Sequence, residues 1–487
     1  MSRNTEPPRD EPKAEPKVDR RGFLAGAVSV AAATALPLAL GAPPATAAAA
    51  ATEPGAAPGA RPNILVILTD DQPKQTEWAT PKTVDWLVGH GVRFTAGHVT
   101  TPLCAPSRSS IFSGQYAHHH GVRDNGHPYN LDQQHTIQRL LHQAGYRTGL
   151  FGKYLNAWHP ADNPPHFDEW LLSAPVVYNN GQYNDNGTVR TIPGYSTSVI
   201  RDHALAFLDK AATDARPWFA FVAPKASHEP NVPEPKYADT PVPAWDGRPS
   251  VDEADRSDKP EWIQNATATL ATARQLRARQ LRTLLSVDDA VQAIHDKLAA
   301  LGQLQNTLVI YLGDNGYTWA DHGWSKKSVP YLPSVEVPFY LSWPAGGLGA
   351  GSPADNRIVA NIDIAPTVLQ AAGITPDWAV DGHSLLGAYS RDHLLVEFWE
   401  QGAHQDGQPH TWASYLGKDK QYTEYYKLHT DANGLPVGTG EIAFREYYDL
   451  NADPYQLVNK LYQATPAQEK ALGIPALAAA LAAERTA

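Results

Sequence analysis

The chain has 487 residues and a single cysteine, Cys104. One thiol cannot form an intrachain disulfide, so no covalent framework holds this fold and its stability has to come from a buried core. Nor is there an excess of positive charge: 40 lysines and arginines stand against 51 aspartates and glutamates, a formal net charge of −11. That balance argues against a nucleic-acid binder and against a surface that wraps long polyanions, while leaving room for a local cationic pocket. Beyond the N-terminal region no long apolar run occurs, which argues against a membrane span in the mature protein. No internal repeat is visible.

At the N-terminus, Asp19-Arg20-Arg21-Gly22-Phe23-Leu24 precedes an alanine-rich apolar run that ends at Pro44-Ala45-Thr46-Ala47-Ala48. A twin arginine, an apolar stretch and a small-residue cleavage site identify residues 1–47 as a signal peptide for the twin-arginine translocase. A retained N-terminal anchor is the competing reading. Export predicts a secreted, periplasmic or cell-surface protein of a bacterium. The sequons at Asn186 and Asn265 are therefore discounted as glycosylation sites. Residues 48–60 read as a flexible linker. In an exported chain a lone cysteine calls for a chemical explanation, because secreted proteins pair their cysteines or lack them.

Four short apolar runs read as buried parallel strands, and each stops at a polar residue. Residues 63–69 end at Asp70 and Asp71, residues 307–313 at Asp314 and Asn315, and residues 146–152 at Lys153; residues 218–224 are followed closely by His228. Helical patterns at residues 136–144 and 276–301 lie between such runs. Alternation of this kind predicts an α/β fold: a large mixed, mostly parallel sheet flanked by helices on both faces, with its ligand site at the carboxyl ends of the strands. Residues 61–390 are assigned to this domain. Residues 391–487 are expected to form a smaller antiparallel sheet with one helix, closing one side of the pocket.

Asp70, Asp71 and Asp314 would repel one another strongly unless a cation neutralised them. With the amide oxygen of Asn315 they suit a hard divalent ion, Ca²⁺ more than Mg²⁺. The alternative is that each aspartate only caps a helix in a strand-to-helix turn. Cys104-Ala105-Pro106-Ser107-Arg108 fits a helix start, with Pro106 in the first turn and Arg108 one turn beyond Cys104. There the backbone amides and the helix dipole favour an anion, although a small buried thiol in a helix cap is also commonplace. Arg274, Arg277, Arg279 and Arg282 share a helix and read as a solvated face, with substrate guidance as the alternative.

The Cys104 pentapeptide resembles the C-x-P-S-R signature of the formylglycine-dependent sulfatases. Arg61-Pro62-Asn63 with Asp70-Asp71-Gln72 is similar to that family's opening strand and metal aspartates. Gly152-Lys153-Tyr154-Leu155-Asn156, Asp314-Asn315-Gly316-Tyr317, Ala360-Asn361-Ile362-Asp363 and Tyr448 to Pro454 resemble its N-acetylglucosamine-6-sulfatase branch. The resemblance implies an alkaline-phosphatase-like fold and a sulfuric ester hydrolase acting on a small sulfated substrate, a sugar or an aryl sulfate. It implies that a formylglycine-generating maturation enzyme oxidises Cys104 to an aldehyde. Asp70, Asp71, Asp314 and Asn315 would bind one Ca²⁺, with the modified Cys104 completing the set.

Arg108 would then steady the formylglycine hydrate, while Lys153, His228 and Lys327 surround the sulfate and the leaving oxygen. Lys327 is chosen over its neighbour Lys326 by its distance from Val337-Pro338. The hydrate would attack sulfur to give a covalent sulfoenzyme, His228 would protonate the departing alcohol, and the second hydroxyl would expel sulfate. Many arylsulfatases carry a histidine where this chain has Leu155. That leaves Asn156, one of His118, His119 and His120, or His322 as the base of the second step. A formylglycine-dependent phosphonate monoester or phosphodiester hydrolase is the nearest alternative. A noncatalytic binding protein for sulfated glycans, with Cys104 left as a thiol, is the other.

Overall fold

The computed structural model describes residues 61–173, 177–400, 409–430 and 436–486. The proposed signal peptide and linker lie outside them. Ten strands form one sheet: β1 (Asn63–Thr69), β2 (Val92–His98), β3 (Arg147–Gly152), β4 (Glu169–Ser173), β5 (Gln182–Asp185), β6 (Thr188–Thr191), β7 (Trp218–Ala223), β8 (Thr307–Gly313), β9 (Phe339–Ser342) and β10 (Asp355–Ala360). Their order across the sheet is β10-β2-β9-β8-β1-β7-β3-β4-β5-β6. Among the described residues, the antiparallel pairings of this sheet are those made by β9 and β5, and its other strands point the same way.

The four runs expected to end in chemistry are β1, β3, β7 and β8, and they are neighbours at the centre. Each is a continuous apolar run because helices cover both faces. Ile64, Val66 and Leu68 pack with Ile111, Phe112 and Val368, from the helices Cys104–Ser113 and Ile364–Ala372. Leu65 and Ile67, alternating with them, pack with Ile200, Phe207, Leu284 and Val291, from the helices Ser196–Ala212 and Leu270–Ala300. Full burial of one such aliphatic side chain contributes roughly 1.5–3 kcal/mol. The strand ends are thus anchored in the best-packed part of the fold.

Register brings those ends level. Thr69 pairs with Gly313, Ile67 with Val222 and Gly152 with Ala223, so Asp70, Asp314 and Lys153 leave the sheet side by side. Gly152 is required there. Its φ is +113°, and a Cβ would lie 2.0 Å from the Ala223 carbonyl oxygen.

A second, antiparallel sheet contains β11 (His393–Phe398), β12 (Trp412–Gly417), β13 (Lys420–Thr430) and β14 (Pro436–Asp449). Here the structure departs from expectation in two ways. The strand β11 was not anticipated, because its almost wholly buried run His393-Leu394-Leu395-Val396-Glu397-Phe398 lacks the alternation of a half-exposed strand. Two helices, Pro466–Ala471 and Ile474–Glu484, follow where one was expected. This sheet grips the loop after β8. Glu446 accepts from the hydroxyls of Tyr331 (3.0 Å) and Tyr448 (2.8 Å) and also from Tyr425, and Trp412 Nε1 donates to the Ser328 carbonyl at 3.0 Å. Lys327, next to Ser328, is positioned by these contacts.

Candidate active site

The rim formed by β8, β1, β7 and β3 brings together Asp70, Asp71, Cys104, Arg108, Lys153, His228, Asp314, Asn315 and Lys327. Asp70, Asp71, Cys104, Arg108, Asp314 and Asn315 are all at most 2% exposed, and Lys153 is 4% exposed. Burying so many charges demands pairing, and they are paired. Lys153 Nζ donates to Asp70 Oδ2 at 2.7 Å, Arg108 Nε to Asp314 Oδ2 at 2.8 Å, and Lys327 Nζ to Asp71 Oδ1. Lys327 also donates to Cys104 Sγ at 2.8 Å, and Sγ lies 3.4 Å from Asp70 Oδ1. Lys326 is exposed on the cavity wall, so the geometry favours Lys327 as the residue at the centre.

Cys104 is the first residue of its helix, as expected, and Arg108 one turn later points into the same cluster. The anticipated cradle of free helix amides is absent. Ala105 N–H donates to Asn125 Oδ1 at 2.9 Å, Pro106 has no N–H, and Ser107 N–H closes on the Leu103 carbonyl at 3.0 Å. Neither the Ala105 nor the Ser107 amide is free to meet an anion. Asn361 fixes the helix from the other side: its Oδ1 accepts from Thr100 N (2.9 Å), and its Nδ2 donates to Ser107 Oγ (2.9 Å).

Electrostatics follow from burial and pairing. Burial raises the Asp70 carboxyl, but Lys153, His228 and Arg108 outweigh it and hold the group well below the ordinary carboxylate range. Asp314 is pushed up, first by burial and then by the charge of Asp70. Burial pushes the Cys104 thiol up to about 12, so as a cysteine it is protonated at neutral pH and a poor nucleophile.

The carboxylates of the cluster suit a hard cation, whereas the Cys104 thiol and His228 imidazole beside them are softer donors. Ligand atoms of Asp70, Asp71, Cys104 and His228 lie within 4.8 Å of one another. Asn315 Nδ2 donates to Asp71 Oδ1 at 2.7 Å, while its Oδ1 is buried without a hydrogen-bond partner. Asp71 sits at φ +61°, a left-handed conformation uncommon for a residue with a side chain, and its N–H donates to Asp314 Oδ1 at 2.9 Å. Carboxylate oxygens with an orphaned amide oxygen are the donors Ca²⁺ takes, and they suit zinc poorly.

His228 borders the cluster, with Nε2 3.8 Å from Asp71 Oδ2 and Nδ1 2.7 Å from the Glu229 carbonyl. Beside it opens a cavity of about 160 Å³ whose lining includes Asp71, His228, Tyr317, Trp324, Lys327 and Phe398. The aromatic walls come from the loop after β8 and from β11. Among the described residues of segments 158–170, 178–195 and 229–262, Glu229 alone lines the cavity, and sequence reasoning did not identify these aromatic walls. It also passed over Lys225, a buried lysine three residues before His228.

The histidine candidates are engaged outside the cluster. Leu155 is buried in the apolar core. His118 pairs with Glu397 (2.9 Å), His119 with Asp381 (2.8 Å), His120 with Ser110 Oγ (3.1 Å) and His322 with Glu253 (2.7 Å). None of these pairs involves a residue of the cluster. Asn156 is half-buried, and its Oδ1 has no hydrogen-bond partner among the described residues. Of the helix arginines, three fasten the loop that crosses them: Arg274 donates to the Trp245 carbonyl (2.7 Å), Arg277 to Pro243 (2.9 Å) and Arg282 to Thr240 (2.9 Å). Arg274 and Arg279 are exposed, as a solvated face requires, while Arg277 and Arg282 are half-buried.

The sulfatase family model matches residues 62–374, and one described as N-sulphoglucosamine sulphohydrolase, C-terminal, matches residues 320–473. The chain belongs to the sulfatase family. It is 34% identical over 363 residues to an extracellular sulfatase SULF-1 homolog of Drosophila melanogaster, covering 69% of this chain and 32% of that protein. It is 26% identical over 485 residues to an N-acetylglucosamine-6-O-sulfatase of Bacteroides thetaiotaomicron, covering 84% of both. The chain spans less than half the length of the extracellular sulfatase homologues it matches. The fold of this sulfatase-family chain is similar to that of a solved structure in complex with its substrate D-glucosamine-2-N,6-O-disulfate. That likeness has a TM-score of 0.70 at 23% identity and covers 88% of this chain and 98% of the other.

Proposed function

We propose that this sulfatase-family chain is an exported hydrolase of sulfate monoesters, with O-sulfated amino sugars as its substrate class. It would act through a formylglycine made from Cys104 and one Ca²⁺ held by Asp70, Asp71, Asp314, Asn315 and residue 104. The observation that carries this reading is the convergence of a buried Cys104 with three carboxylates and three paired cations on one rim, beside a small aromatic-walled cavity. The sugar comes from the N-acetylglucosamine-6-O-sulfatase relative and the disulfated glucosamine of the structural neighbour. Export rests on the leader in residues 1–47 and on the extracellular relatives. Residues 61–390 would carry the chemistry, and residues 391–487 would close one side of the cavity through Phe398.

A sulfate monoester is an unreactive anion, so catalysis needs a strong nucleophile, neutralised charge and a proton for the leaving oxygen. When bound, the calcium ion would supply Lewis acidity and offset charge on the sulfate. Arg108, locked between Asp314 and the Lys153 carbonyl, orients residue 104 from below. Lys153 and Lys327 hold sulfate oxygens. His228, with Nδ1 on the Glu229 carbonyl, presents Nε2 to the cavity and holds the proton for the departing alcohol.

Peptide mass spectrometry across Cys104, together with sulfate release from a panel of 6-O-sulfated and N-sulfated sugars, an aryl sulfate and an aryl phosphonate, tests the proposal. The expected result is loss of sulfur at residue 104 and sulfate release that stops on chelation and in Cys104→Ser. An intact thiol with no release from any ester would sink it. Faster cleavage of the phosphonate would move the chain to the phosphorus side of the chemistry.

A further inference from the structure

Every cation at the centre of the site has a carboxylate of its own: Lys153 with Asp70, Lys327 with Asp71 and Arg108 with Asp314. Lys225 does not. It is 6% exposed, lies on the segment between β7 and His228, and makes no ion pair among the described residues. Its Nζ is 3.5 Å from His228 Nδ1 and 5.5 Å from the centroid of the Tyr178 ring.

The position is held firmly. Asp70 N–H donates to the Ala226 carbonyl (3.0 Å), Ser227 N–H to the Asp70 carbonyl (2.7 Å) and Ser227 Oγ to the Asp71 carbonyl (3.0 Å). The Tyr178 hydroxyl, in turn, donates to the His228 carbonyl at 2.6 Å. The lysine is thus clamped against the same two aspartates that border Cys104, and it feels the charges of Asp70, Lys153 and Asp71. Burying an ammonium without a counter-ion is costly, and a fold keeps such a group where an anion arrives to meet it.

We propose that Lys225 is a further substrate-binding residue, which takes an oxygen of the substrate's sulfate group on the His228 side of the site. The inference rests on the sulfatase reading above. Lys153 and Lys327 approach the sulfate from the sides of Asp70 and Asp71; Lys225 adds a cation with no competing partner, and so with the least to give up when the anion binds.

The test uses the full-length calcium-loaded protein, with inorganic sulfate and the desulfated sugar as separate probes. Calorimetry measures each affinity in the wild type, Lys225→Met and Lys225→Arg. In Lys225→Met sulfate affinity is expected to fall at least tenfold, equivalent to about 1.4 kcal/mol. In Lys225→Arg it should stay within a few-fold. Affinity for the desulfated sugar should be the same in all three proteins. The melting temperature of Lys225→Met should hold or rise, because an unpaired buried charge has been removed.

Unchanged sulfate affinity in Lys225→Met overturns the proposal. So does an equal loss for sulfate and sugar, or a methionine variant that fails to fold, since either assigns Lys225 a structural role. Sulfate calorimetry needs no turnover. A wild type that hydrolyses no ester therefore defeats the sulfatase reading without deciding Lys225, and the binding measurement decides Lys225 separately.

Discussion

Replacing Arg108 by methionine separates the energetic role of the site from its chemistry. Arg108 and Asp314 are both fully buried and joined at 2.8 Å, and Arg108 Nη1 also donates to the Lys153 carbonyl at 2.8 Å. Methionine fills much of the volume but leaves the Asp314 carboxylate without its counter-charge. Breaking one side of a buried pair costs about 3–5 kcal/mol, most of it the uncompensated charge left behind. A cation bound by Asp314 would supply that compensation from a different direction. Calcium should therefore stabilise Arg108→Met more than it stabilises the wild type. At a hundredfold excess over Kd, ligand binding adds about 2.7 kcal/mol to a folded state, and tighter binding to the more negative variant adds to that figure. The assay is urea unfolding of both proteins in chelator and in saturating calcium. The expected pattern is a variant about 3–5 kcal/mol less stable in chelator, with a deficit at least about 1 kcal/mol smaller in calcium. An identical deficit in both conditions would show that Asp314 does not share a site with the ion, and the metal assignment would fall with it.

Asn361→Ala should cost about 2–4 kcal/mol in urea unfolding, because Thr100 N–H and Ser107 Oγ both lose a buried partner worth about 1–3 kcal/mol each. It should lower kcat more than it raises KM, because the Cys104 helix loses its clasp; an unfolding cost under about 0.5 kcal/mol contradicts this. His98, at the end of β2, is held neutral by burial, its value lowered from 6.5 to about 4. The unfolded chain takes up the proton first, so stability is lost as pH falls from about 6.5 towards 4, by up to roughly 3 kcal/mol. His98→Gln should flatten that part of the stability–pH curve, and equal slopes for the two proteins would refute the assignment.

The centre of the fold was legible because physics leaves it few alternatives. A strand covered on both faces has to be apolar throughout, so β1, β3, β7 and β8 could be read as blocks, each with a polar end. Sequence reasoning could also align Asp70, Asp314 and Lys153, because parallel neighbours deliver their ends to one rim. What it missed depends on contacts between distant segments. Lys225 follows a proline after a strand and reads as surface loop until the hydrogen bonds of Ala226 and Ser227 draw it onto Asp70. Trp324 and Phe398 come from a loop and a strand of different sheets, and no local pattern joins them. The anchoring of Arg277 and Arg282 was not legible, because their partners are backbone carbonyls at Pro243 and Thr240, which carry no side-chain signal.

The pairing of charges also sets how metal and substrate communicate. Asp70, Asp71 and Asp314 each hold one cation, so the cluster is neutral pair by pair. A divalent ion among the carboxylates would compete with Lys153 and Lys327 for the same oxygens. The two ammonium groups then have less to lose by turning to the anion in the cavity. Sulfate, in turn, would draw them away from Asp70 and Asp71 and leave those oxygens to the ion. Each ligand removes a competitor of the other, and linkage makes the effect reciprocal: calcium should tighten sulfate by the same factor by which sulfate tightens calcium. Coupling of this kind commonly amounts to about 1–3 kcal/mol, or 5- to 150-fold in affinity. Arg108 stands apart. It is fully buried and tied to two backbone carbonyls as well as Asp314, so it remains where it is while the lysines exchange partners. Equal sulfate affinities with and without calcium would mean that the lysines do not move between the two sets of oxygens, and that the ion and the sulfate are bound independently.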